Sequence, residues 1–120
     1  MDKQLGTITT WLDPDGNLVR VKLYGRAEES WYVASNPGRR LRAKAIYNTF
    51  TLTPGVGLYQ GVEKWTGLFW HVVAPGYGTV LLDAGLEIID WTAAAPVVKV
   101  AGRHQWIDGD FDALCAALND

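Results

Sequence analysis

The chain has 120 residues, a mass of 13.2 kDa, a formal net charge of −2 and a sequence pI near 5.6, the size of one ordinary domain burying roughly two-thirds of its unfolded surface. Hydrophobic residues make up 48% and charged residues 20%, which excludes a disordered chain, and the acidic balance removes any overall attraction for a polyanion, so nucleic acid is not expected as the partner. Cys115 is the only cysteine, which excludes an internal disulfide and a multi-cysteine zinc cage. No apolar run reaches the roughly 20 residues of a membrane helix, and "MDKQLGTITT" has no signal-peptide core, so a cytoplasmic protein with no membrane partner is expected.

Thirteen glycines and five prolines separate short runs of β-branched and aromatic residues, the punctuation of an antiparallel β-protein. Residues 7 to 12, "TITTWL", and 17 to 24, "NLVRVKLY", flank "DPDG", where Pro14 presets the turn dihedral and Gly16 takes positive φ, a hairpin signal. In the second strand Val19, Val21 and Leu23 alternate with Arg20 and Lys22, so one face is core and the other wet.

"SWYVAS" (30 to 35) reads as a further strand, "NPG" (36 to 38) as a turn and residues 40 to 53 as a long strand that changes phase. Arg40, Arg42 and Lys44 occupy even positions, yet after Ala45 the even positions turn apolar at Ile46, Phe50 and Leu52. Strict alternation makes this a sign of a bulge, a bend or a new packing environment near residue 45, with the second half of the strand entering the core.

"TPGVGLYQG" (53 to 61) reads as loop, "LFWHVV" (68 to 73) as a central strand, "TVLLD" and "LEIIDW" as a tight hairpin joined at Ala84 and Gly85, and "PVVKVA" (96 to 101) as a last strand. Phe111, Leu114, Cys115 and Leu118 then fall at i, i+3, i+4, i+7, one stripe of a closing helix with Asp110 as its cap and Cys115 as an inert core thiol. The expected fold is one mainly β domain over residues 1 to 120, an antiparallel barrel or sandwich of seven to eight strands with one C-terminal α-helix.

Few motifs carry chemistry. "GVGLYQG" has the spacing G-x-G-x-x-x-G with no helix after it, and "DGDFD" lacks the glycine and the bidentate glutamate of a calcium loop. No metal or cofactor site is expected. An enzyme reading rests on His71 or His104 in a barrel pocket within reach of a carboxylate such as Glu63 or Asp83. The C-terminal stretch "TVLLDAGLEIID…GRHQWIDGDFDALCAAL" resembles the ends of small bacterial and phage-borne proteins. That resemblance covers about a third of the chain and implies no activity, but it opens a reading as a structural or inhibitory protein of a mobile element.

The preferred expectation is a non-catalytic binding module. Arg39, Arg40, Arg42 and Lys44 hold four of the eleven basic residues in six positions, and Trp31, Tyr32, Tyr47, Tyr59 and Trp65 lie beside glycine-rich or charged turns. A short electropositive stripe flanked by rings suits a protein partner or a compact anionic ligand, while Lys64, Lys99 and Arg103 stand singly. Edge protection by charge explains the same stripe without a ligand, and pairing of a β edge with a like subunit fits the pattern as well.

Overall fold

The computed structural model describes residues 3–120, whose strands form a single antiparallel meander. Strands β1 (Lys3–Leu12), β2 (Leu18–Val33), β3 (Asn36–Thr51), β4 (Val62–Ala74), β5 (Gly78–Asp90) and β6 (Val97–Ala101) lie side by side in chain order, and the molecule measures 58 × 28 × 22 Å. In a meander each connection needs only a turn, and the sequence supplies the turn chemistry. At the β1–β2 turn the Asp13 carboxylate accepts the N–H groups of Asp15 and Asn17 at 2.9 Å each, and Gly16 has φ 84°.

The expected seven to eight strands in a barrel or sandwich are thus six strands in one open sheet, with β1 and β6 as its edges. Two expected breaks are absent. Residues 17 to 24 and 30 to 35, read as separate strands, belong to the 16-residue β2, and the turn that follows is Ala34–Ser35, so Asn36, Pro37 and Gly38 open β3. "TVLLD" and "LEIID" form one 13-residue strand, β5, in which Gly85 (φ 120°) pairs with Gly67 (φ 121°) of β4. A glycine's positive φ serves a bend inside a strand as readily as a turn.

An irregularity does fall near residue 45 as expected, but on the neighbouring strand and not in β3 itself. Pairing with β2 runs unbroken from Phe50 to Leu41, so Ile46 and Phe50 share a face with Lys44, and Ile46 is 44% exposed. The irregularity sits in β4, where Lys44 pairs with His71 and Ile46 with Leu68, leaving two residues of β4 opposite Ala45. The other face of β3 is buried along its length, from Leu41, Ala43 and Ala45 to Thr49 and Thr51.

That other face holds the core at one end of the sheet. Leu41, Ala43, Val72, Ala74, Val80 and Leu81 pack against Leu114, Ala117 and Leu118, ringed by Trp31, Val33, Trp70 and Phe111. Alanines on both sides let the helix approach the sheet closely, and each large side chain removed from water there contributes about 1.5–3 kcal/mol.

The closing helix is two short ones, α1 (Gln105–Asp108) and α2 (Asp112–Leu118). Phe111, without a side-chain hydrogen bond, precedes α2, and Asp110 does not cap it: its carboxylate accepts Gln105 Nε2 at 3.3 Å. At the other end of α2, Asn36 Nδ2 donates to the Leu118 carbonyl at 2.9 Å and Arg39 Nε to the Ala117 carbonyl at 3.2 Å, which satisfies carbonyls the helix leaves open and places a cation at its negative end. No helix among the described residues is long and apolar enough to cross a membrane.

Candidate functional site

Residues paired directly across antiparallel strands project from the same face, so the registers define what each face carries. One row crosses the sheet from Lys22 through Phe50, Lys64 and Ile88 to Lys99. Another runs from Lys3 through Glu28 and Lys44 to His71. Arg26 pairs with Ile46, Arg42 with Ser30, and Arg20 with Trp11. Strict alternation brings Arg40 to this face too, where its guanidinium lies 4.3 Å from the Tyr32 ring centre.

Nine of the eleven lysines and arginines therefore stand on one face of an acidic protein, Arg39 and Arg103 being the exceptions. The helices pack on the opposite face, against Leu41, Ala43, Val72 and Leu81, so among the described residues no helix covers the basic one. Among the described residues no lysine or arginine forms a salt bridge; the ion pairs present are those of His104. The charges are spread across rings: Arg20 over Trp11 at 4.3 Å, Lys22 over Phe50 at 5.4 Å, Arg40 over Tyr32 at 4.3 Å. A shallow cleft of about 340 Å³ opens among Lys3, Leu5, Arg26, Glu28, Lys44 and Ile46.

Of the residues singled out in the sequence, Arg40, Arg42, Lys44 and Tyr32 come together on this face. Arg39 turns away to α2. Trp31 lies on the helix face, its ring centre 5.0 Å from Trp70 and 5.7 Å from Trp106. Tyr47 and Trp65 also lie on the helix face, stacked at 5.6 Å with 8° between planes, and Tyr59 meets Trp65 at 6.4 Å and Trp91 at 5.5 Å. The expected single arginine–aromatic surface is thus divided between two faces. Sequence reasoning missed Lys3, Arg20, Lys22, Arg26, Lys64 and Lys99 as members of the stripe; the signal for Arg26 was its parity with Arg20 and Lys22, while the strands that carry these residues are joined to β3 only by cross-strand register.

No family model, curated protein or solved structure matches this chain. Its chemistry rests on its own geometry.

The helix face carries carboxylates where the other carries bases. Glu63, fully buried, accepts the indole N–H of Trp65 at 3.0 Å and of Trp91 at 2.8 Å on one oxygen and the Tyr59 N–H at 2.5 Å on the other. Tyr59, at φ 65°, is the only non-glycine in the left-handed region among the described residues, and this turn aims its N–H at the carboxylate.

Further along, buried His104 points Nδ1 at Asp83 Oδ1 and Nε2 at the Ala101 carbonyl, both at 2.7 Å, with Glu87 Oε1 3.5 Å from Nδ1. Burial alone would lower the His104 pKa; the Ala101 carbonyl, Asp83 and Glu87 outweigh it, so the net shift is upward. Burial, then the Asp83 charge, raises Glu87 against the opposing pull of His104.

Asp83, Glu87 and His104 each offer one ligand atom within 4.8 Å of the others. Both imidazole nitrogens are already committed to oxygens, so the cluster as built is an ion pair that fastens the chain before α1 to β5. The Asp83 carboxylate completes the joint by accepting the Trp106 N–H at 3.1 Å. His71, the other histidine considered, is half-exposed on the basic face, with Nε2 3.0 Å from Thr79 Oγ1.

Proposed function

We propose that this protein is a non-catalytic binding module that recognises a polyanionic partner through the basic face of its open sheet. The observation that carries the reading is the segregation of nine unpaired-charge side chains onto one uncovered face. Holding like charges together raises the electrostatic energy of the free protein, a cost that an opposite charge recovers on binding. Edge protection accounts for Lys3 on β1 and Lys99 on β6, but β2, β3 and β4 are interior strands whose ladders are already paired. Compared with a compact ligand, a target with several anionic groups engages more of this surface.

The test is retention on immobilised heparin at pH 7.5, where the whole molecule is acidic. The wild type is retained and elutes with salt, and the combined Arg40→Ser, Arg42→Ser, Lys44→Ser variant elutes earlier with an unchanged melting temperature. Absence of retention, or equal elution of the two proteins, would overturn the reading.

A further inference from the structure

Resting on that reading, we infer that the polyanion is a single-stranded nucleic acid, read along β2 and β3 by alternating phosphate contacts and ring stacking. The two strands carry a longitudinal stripe. Arg20, Lys22 and Arg26 project from β2, and the stripe passes to Lys44, Arg42 and Arg40 on β3, the registers setting these at successive rungs. Rungs two residues apart along a strand are about 6.7 Å apart, so the stripe extends over about 40 Å. Glu28 is the one carboxylate within it, flanked by Lys3 and Lys44 as its cross-strand partners.

Rings accompany the charges on the same face. Trp11 pairs with Arg20, Phe50 pairs with Lys22, Tyr24 fills the rung before Arg26, and Tyr32 stands beside Arg40. Trp11 is 38% and Tyr32 49% exposed. A single strand presents one phosphate and one flat base per residue of polymer, and a positive track interleaved with exposed rings complements both halves of that repeat. An acidic protein surface would use the charges and leave the rings without a role. A duplex would use the phosphate contacts alone, because stacked and paired bases offer no face to a ring, and no helix rises from this side of the sheet to enter a groove.

The experiment is fluorescence anisotropy of the full chain with a labelled oligothymidylate or oligouridylate of about 12 nucleotides, inside the range of roughly 4–16 nucleotides that sheet-based modules occupy. The comparators are the same length of duplex DNA and a polyglutamate peptide. The single strand is expected to bind most tightly. With about six phosphates neutralised, the logarithm of its affinity falls with that of salt at a slope of roughly −4, or about 300-fold between 50 and 200 mM. Trp11→Ala and Tyr32→Ala each lower affinity for the single strand by about tenfold while heparin retention and melting temperature stay close to wild type. Duplex or polyglutamate binding as tightly as the single strand, or indifference to both ring substitutions, overturns this inference and leaves the polyanion reading standing. Loss of heparin retention in the wild type overturns both.

Discussion

His104 and Asp83 form a buried pair in which each ring nitrogen of the histidine faces an oxygen, Asp83 Oδ1 on one side and the Ala101 carbonyl on the other, both at 2.7 Å. Burial opposes a charge on the ring, but the Ala101 carbonyl, Asp83 and Glu87 outweigh it, so the fold favours the imidazolium and the His104 pKa is raised. A histidine whose folded pKa lies above its unfolded value, about 6.5, contributes stability that is complete below that value and disappears as pH rises through the raised one. Glu87, also raised, acts in the same direction from the carboxylate range upward. Urea midpoints of the wild type are therefore expected to fall as pH increases above about 6.5. His104→Gln is expected to lose about 3–5 kcal/mol at pH 6, as for breaking a buried pair, and to flatten the slope above it. Parallel pH profiles for the two proteins would contradict the imidazolium.

Glu63 has hydrogen-bond donors around it and, among the described residues, no cation within salt-bridge distance. Its removal in Glu63→Ala leaves two indole N–H groups and the Tyr59 amide without an acceptor, at a cost of about 1–3 kcal/mol for each group that water does not reach. Trp91, 39% exposed, and Tyr59, 53% exposed, are able to hydrate; the half-buried Trp65 donor carries the loss. Denaturant unfolding is expected to give a smaller loss for Glu63→Gln, which keeps an acceptor oxygen, than for Glu63→Ala. Equal stability of Glu63→Ala and wild type would show that these bonds contribute nothing net.

Gly67 combines φ 121° with a close approach: a Cβ there would stand 2.6 Å from the Ile46 carbonyl oxygen and 3.0 Å from the Tyr47 Cα. Both are backbone atoms of the paired strand, so no side chain moves aside. Gly67→Ala is expected to cost about 1–3 kcal/mol through strain alone and to disturb the stacked Tyr47–Trp65 pair, visible in near-ultraviolet circular dichroism. Gly38→Ala is the control, with nothing within 4 Å of its added Cβ and no positive φ, and is expected to leave stability unchanged or slightly higher.

The alternation of Val19, Val21 and Leu23 with Arg20 and Lys22 made the first hairpin legible, because a two-residue period and a "DPDG" turn are local signals. The same reasoning found the apolar character of β4 and the position of β6. Strand number was not legible, since "GRAEE" and Ala84–Gly85 have the composition of turns and only pairing with β3, β4 and β6 keeps them extended. The polarity change after Ala45 was real and coincides with an irregularity, but that irregularity lies in the neighbouring strand and leaves Ile46 on the same face as Lys44. The stripe at Arg40, Arg42 and Lys44 was readable from parity within one strand. Its continuation through Lys22, Lys64 and Lys99 depends on register between strands tens of residues apart, which no local pattern encodes.

Cys115 shows how a helical period misleads when the helix is short. Its spacing from Phe111, Leu114 and Leu118 put it on the apolar stripe, but α2 turns Leu114, Ala117 and Leu118 to the sheet and leaves Cys115 exposed. Cys115 borders an apolar cleft of about 460 Å³ lined also by Trp31, Tyr32, Trp106 and Phe111. An exposed thiol reacts without unfolding, whereas a core thiol waits for the chain to open. A disulfide-exchange chromogenic reagent is therefore expected to titrate one thiol per chain in native buffer, at a rate close to that in denaturant. Cys115→Ser is expected to change stability by no more than about 0.5 kcal/mol, the range of surface substitutions. A thiol that stays silent until denaturant is added, together with a large loss in the serine variant, would return Cys115 to the core.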